Sequence, residues 1–222
     1  SDYRCFMEEG EDVLEGVLLM LKYLGIPKCI IGIEKNKPKA IEKMTKLCEK
    51  HDNITVKALK SSYPQGAEKT LIFSTTGRVV KEGTLPLASG CIVVNSSTAA
   101  FIAQYIRTGM PLVKRRITVD GNIVKKPSNF IVPVGMSIGE LVYHAELSDK
   151  PDRIILGGPM MGACAFDPDY PLSKTNNAVL MFADSPVYEP SECIRCGKCV
   201  KACSMNLLPT ELEHAFDMRD AR

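Results

Sequence analysis

Four cysteines fall within eleven residues of one another, in the run Cys193-Ile-Arg-Cys196-Gly-Lys-Cys199-Val-Lys-Ala-Cys203. The C-x2-C-x2-C-x3-C spacing is that of thiolate ligands to [4Fe–4S] clusters: two-residue spacers let one loop wrap three corners of a cubane while its backbone N–H groups point at the sulfides. Gly197 eases the tight curvature this requires. In two-cluster proteins the fourth cysteine of such a run ligates the other cluster, a part that falls to Cys203 here. No second run occurs in the sequence, so the spacing predicts that neither cluster finds a full ligand set within these residues alone. The alternatives are structural zinc and plain buried cysteines. Zinc usually draws two cysteine pairs from separated knuckles, and four thiolates this dense suit iron and sulfide better. Arg195, Lys198 and Lys201 lie between the ligands. There they either offset the charge of a thiolate-bound cluster, favouring its reduced form, or are simply solvated.

Two weaker groups stand earlier in the chain. Tyr63-Pro-Gln-Gly66-Ala-Glu68 follows a predicted strand, and Asn95-Ser-Ser-Thr98 lies between a predicted strand and a predicted helix. Both fall at the carboxyl ends of strands, where open α/β sheets bind ligands and where helix N-termini can hold phosphate. Equally, Asn-Ser-Ser-Thr is an ordinary helix start and Gly66 an ordinary turn. Neither G-x-G-x-x-G nor a P-loop is present. Gly157-Gly-Pro-Met-Met-Gly162 either brings backbone close to a cofactor or to the cysteine-rich tail, or is a tight connection. Lys114-Arg-Arg116 reads as a solvated strand edge, not a nucleic-acid patch. His51, His144 and His214 share no motif, which argues against metal ligation or general-base catalysis by them.

The elements that must position these groups belong to an ordinary globular protein. The 222 residues are 45% hydrophobic and 24% charged, which excludes disorder, collagen and coiled coil. Lysine plus arginine number 28 against 26 acids, and a net charge of +2 supplies no field to recruit nucleic acid or anionic lipid. The longest apolar candidate, Val13 to Leu24, is interrupted by Glu15 and Lys22, too short and too charged to span a bilayer. The opening residues lack a secretory layout, leaving the cytosol as the default expectation. Nine cysteines, five scattered and four crowded, do not make a disulfide framework.

Periodicity predicts helices over Glu11 to Leu24, from Pro38 to Cys48, over Gly66 to Phe73 and over Thr98 to Thr108, alternating with strands at Cys29 to Ile33, Ile54 to Leu59 and Cys91 to Asn95. Such alternation predicts a parallel sheet covered by helices. After Pro111 the pattern changes. Val113 to Val119 alternates, Asp120-Gly121 signals a hairpin turn, and Asn122 to Val124 and Phe130 to Val134 read as further strand. Ser137 caps a helix with Glu140 where a capping box wants it, and strands follow at Arg153 to Leu156 and Ala178 to Phe182. The expected fold is therefore α/β: a Rossmann-like parallel sheet over 1–112, a β-grasp-like module over 113–185, and over 186–222, after a linker from Pro186 to Pro190, the first half of a two-cluster ferredoxin-like domain.

The cysteine run continuing through Ser-Met-Asn-Leu-Leu-Pro209, the Gly-Gly-Pro-Met-Met-Gly162 stretch and Leu172-Ser-Lys-Thr-Asn-Asn-Ala178 together resemble the C subunit of the Rnf electron-transport complex, along essentially the whole chain. The first part is similar to the flavin-bearing NADH dehydrogenase subunit of respiratory complex I. That subunit's Tyr-x-x-Gly-x-Glu element is matched by Tyr63, Gly66 and Glu68, and its Asn-x-x-Thr element by Asn95 and Thr98. The resemblance implies that these five residues line an FMN and NADH pocket, that an SLBB-type β-grasp module follows, and that Cys193, Cys196, Cys199 and Cys203 serve two [4Fe–4S] clusters. It also implies membrane-bound partner subunits and a peripheral place on the cytoplasmic face of the membrane. The family's glycine-rich flavin signature and acidic Glu-Pro segment are not in this sequence, and Ala67 stands where the complex I relative has a glutamate. These departures lead us to expect an interior piece of a longer protein, inactive alone. A cobalamin reductase of microcompartments would share the flavin and cluster domains, and a non-redox β-grasp module with structural zinc is the reading from a different class.

Overall fold

The computed structural model describes residues 1–184, 189, 191–203 and 207–218. The first layer is built by helices α1 (Asp2–Glu8), α2 (Gly10–Tyr23), α3 (Pro38–Cys48), α4 (Glu68–Thr76) and α5 (Ser96–Thr108) around strands β1 (Cys29–Glu34) and β2 (Ile54–Leu59). The strands pair in parallel from Cys29↔Ile54 to Glu34↔Leu59, so both end on the same side of the layer. The apolar stripe of α2 (Val13, Val17, Leu21) meets Ile31 and Ile33 of β1, Met44 and Cys48 of α3, and Ala99 and Ala100 of α5 in one buried cluster. Gly16 is what lets α2 and α5 touch: a Cβ there would stand 1.8 Å from the carbonyl oxygen of Ala99.

The second layer is a five-stranded sheet in the order β4-β3-β7-β5-β6, built from β3 (Lys114–Asp120), β4 (Ser128–Pro133), β5 (Arg153–Leu156), β6 (Ala163–Ala165) and β7 (Ala178–Phe182). β3 is antiparallel to β4 but parallel to β7, the arrangement expected of a β-grasp module. Helix α6 (Ile138–Ala145) covers one face, and its Ile138 and Leu141 pack with Ile117, Val119, Val179, Met181 and Leu172 in a second core. Its start is a complete capping box. Ser137 Oγ accepts from the Glu140 amide at 3.1 Å, and the Glu140 carboxylate accepts from the Ser137 amide at 3.3 Å.

The two layers are joined by charge. Arg116 on β3, with its side chain only 11% exposed, reaches Glu8 at 2.7 Å and also pairs with Glu9, at the end of α1. Burial works against the Arg116 charge, yet the two carboxylates hold its pKa above the ordinary value. The expected solvated edge at Lys114-Arg-Arg116 is therefore corrected at Arg116, which is a contact between layers.

Other expectations are also revised. Cys91 to Asn95 is not a strand: it pairs with none among the described residues and leaves Ile92 56% exposed, because β propensity without a neighbouring ladder makes no sheet. The expected parallel sheet accordingly shows two strands. Asn122 to Val124 is a turn, with Val124 in a single bridge to Leu147; Gly121, at φ +139, lies so close to Met181 that the chain is bent there. The helix expected from Gly66 begins at Glu68. Helix α1, strand β6 and two short helices near the chain end, α7 (Lys198–Ala202) and α8 (Pro209–Asp217), were not expected. The expected linker at Pro186 to Pro190 lies, apart from Glu189, outside the described residues. No helix among the described residues is long and apolar enough to cross a membrane.

Candidate functional site

Because β1 and β2 end together at Glu34 and Leu59, the loops that follow them share one edge of the layer. Hydrogen bonds tie them: Lys35 N–H donates to Leu59 C=O at 2.8 Å, and Asn36 N–H donates to the Ser61 side-chain Oγ at 3.2 Å. Beyond Ser61 the chain makes a double turn, with Gln65 N–H donating to Ser62 C=O and Ala67 N–H to Pro64 C=O, both at 2.8 Å. Gln65 is buried, and its amide nitrogen donates to Ser74 Oγ at 3.0 Å, fastening the turn to α4. A cleft of about 500 Å³ results, within the range of small-molecule sites, lined by Glu34, Asn36, Ser61, Ser62 and the turn from Tyr63 to Ala67. The wall is completed by Met161, from the second layer.

Tyr63 stands 60% exposed at this cleft, and Gly66 presents open space where a Cβ would project. The hydroxyls of Ser61 and Ser62 and the Asn36 amide bring hydrogen-bonding groups to the cleft beside the Tyr63 ring. Glu68 opens α4 immediately after the turn and is exposed, next to the cleft in sequence but not among its lining residues. Asn95 caps α5, its side-chain oxygen accepting from the Ser97 amide at 2.9 Å, and Thr98 lies in the first turn of that helix. The structure thus brings Tyr63 and Gly66 together, while Asn95 and Thr98 do not line the same cleft. Asn36, Ser61 and Ser62 were missed because polar loop residues carry no spacing signal. Met161 belongs to the glycine-rich stretch between Gly157 and Gly162, whose spacing does draw notice.

The cysteine run forms a separate turn. Arg195 and Gly197 both take left-handed backbone conformations, at φ +54 and +70, so the chain reverses twice between Cys193 and Cys199. Cys193, Cys196 and Cys199 are exposed, and Cys203 is half-buried. The Arg195 amide donates to Cys193 Sγ at 3.4 Å, the kind of N–H to sulfur contact that stabilises a cluster-bound thiolate. Helix α7 follows, and Cys203 N–H closes it onto Cys199 C=O at 3.0 Å. Among the described residues, no three His, Cys, Asp or Glu side chains converge closely enough to hold a metal ion. Donor softness and the left-handed reversals fit an iron–sulfur cluster, with the thiols facing outward from this chain.

Residues 1–104 match the Nuo51 FMN-binding domain family, 116–163 the SLBB domain and 186–206 the 4Fe-4S binding domain. The chain is 40% identical to the C subunit of the proton-translocating ferredoxin:NAD(+) oxidoreductase complex of Clostridium ljungdahlii, over 96% of this chain and 47% of that protein. It is 37% identical to the Na(+)-translocating counterpart of Acetobacterium woodii, over 96% and 48%, and 35% identical to the C subunit of the ion-translocating oxidoreductase complex of Rhodobacter capsulatus, over 99% and 44%. Along nearly its whole length the chain is thus similar to the C subunits of ion-translocating oxidoreductase complexes. It spans about half the length of these relatives. The NAD+-reducing [NiFe]-hydrogenase in its air-oxidized state shares the fold of this chain, with a TM-score of 0.67 at 17% identity over 82% of this chain and 37% of the other. The α/β layer, the SLBB module and the iron–sulfur segment are thus present in the expected order, and the cofactors of the matched domains are FMN and [4Fe–4S].

Proposed function

We propose that the protein carries electrons from NADH, through FMN and paired [4Fe–4S] clusters, into membrane-bound subunits of an ion-translocating oxidoreductase complex, and that it sits peripherally on the cytoplasmic face of the membrane. The observation that supports this best is the order along one chain: a strand-end cleft in an FMN-binding domain, a β-grasp module, and a four-cysteine turn. Bound flavin would supply the exchange between two-electron hydride chemistry and one-electron transfer. In this reading Tyr63, Gly66 and Glu68 shape the flavin and nicotinamide pocket, with the Tyr63 ring as a stacking face and Gly66 as the gap that admits a ring edge. Asn95 and Thr98 serve FMN from the N-terminus of α5, whose first amides favour anionic groups.

Cys193, Cys196 and Cys199 bind one cluster and Cys203 reaches the second, with the missing ligands supplied by chain beyond this segment. The functional divisions follow as 1–112, 113–185 and 186–222. In the complete protein, Cys196→Ala is expected to abolish the EPR signal of one reduced cluster while the other persists. An unchanged spectrum would overturn the ligand assignment.

A further inference from the structure

The turn between β5 and β6, residues 157–162, folds closely on itself. Gly157 has φ +113, and a Cβ on Gly162 would stand 2.4 Å from Ile155 Cγ2 and 2.7 Å from the Gly158 carbonyl oxygen. Gly162 N–H also donates to that carbonyl at 2.7 Å. Glycine is therefore required at both ends of a tip that holds up two methionines, 68% and 82% exposed. Met161 lines the cleft together with the Tyr63 turn of the other layer. The Arg116 pairings with Glu8 and Glu9 join those two layers.

We infer that Met161 is a ligand-contacting residue, its thioether packing on the planar redox ring held at Tyr63, so that the β-grasp module and the FMN-binding layer bind that ring jointly. This rests on the proposed reading of the cleft. Thioether sulfur packs favourably on aromatic rings, and an unbranched side chain adapts to a ring's face. The shared chemistry is a flat nitrogen heterocycle, either isoalloxazine or nicotinamide, and separate titrations tell the two apart.

The test uses the complete protein, with dissociation constants for FMN (flavin-depleted protein, flavin fluorescence) and for NADH (flavin-loaded protein, anaerobic, nucleotide fluorescence). Met161→Ala is expected to weaken one of the two by about three- to tenfold, Met161→Leu to restore it to within about twofold, and Met160→Ala, outside the cleft, to change neither. The affected titration identifies the ring. Tyr63→Ala tests the underlying reading. If it weakens binding while Met161→Ala does not, the Met161 contact is overturned and the cleft stands. If neither variant changes either constant, the cleft itself is wrong. Equal losses at Met160 and Met161 would also overturn the contact, since they would reflect the turn's integrity.

Discussion

Burial sets which thiols of this chain stay protonated. Burial, with the Cys48 thiol nearby, pushes Cys29 from its usual 9.0 up to about 11, and burial likewise raises Cys5 and Cys48. A thiol whose pKa is higher folded than unfolded contributes stability that is fully present below about pH 9 and is lost as pH rises through about 11. Cys29→Ala is therefore expected to flatten the fall in urea midpoint between those pH values. An identical fall would contradict the shift. The exposed thiols of Cys193, Cys196 and Cys199 should alkylate with iodoacetamide at pH 8 well before Cys5 or Cys48, as peptide mapping would show. At Arg116, removal of the side chain leaves Glu9 without its ion-pair partner and Glu8 with Arg4 alone, at 3.4 Å. Arg116→Ala should cost about 1–2 kcal/mol in chemical denaturation.

The contact between α2 and α5 depends on one missing methyl group. Gly16→Ala would put a Cβ 1.8 Å from the Ala99 oxygen, and neither backbone can yield without separating the helices. A loss of about 3 kcal/mol or more is expected in urea unfolding, and a loss under about 1 kcal/mol would show that the helices do not cross so closely. Elements whose signals are local were legible in sequence. The α6 capping box, the Pro38 start of α3 and the apolar stripe of α2 each follow from residues within a few positions of one another. Elements that depend on a partner were not. Cys91 to Asn95 has the composition of a strand yet lacks a ladder, and β6 is three residues whose assignment rests on pairing with β5. The candidate site divides in the same way. Tyr63 and Gly66 were readable from one turn, whereas Met161 reaches the cleft only through the packing of two layers.

At the scale of the whole molecule, the cofactor-binding parts lie at opposite ends of the chain, with the β-grasp module between them. The module's hairpin tip reaches the first cleft, so it is more than a spacer. Cys193, Cys196 and Cys199 are exposed, and in the proposed reading the run offers three ligands to one cluster and a fourth to another. The segment of 222 residues alone should therefore bind less than one equivalent of iron–sulfur cluster, as iron and sulfide analysis after anaerobic reconstitution would show. The most direct measurement is visible and EPR spectroscopy of the complete protein reconstituted with FMN, iron and sulfide. Electron transfer through this chain predicts flavin and cluster absorption that bleach on adding NADH, together with EPR signals of two reduced [4Fe–4S] clusters. A colourless, EPR-silent protein containing zinc without iron would contradict it.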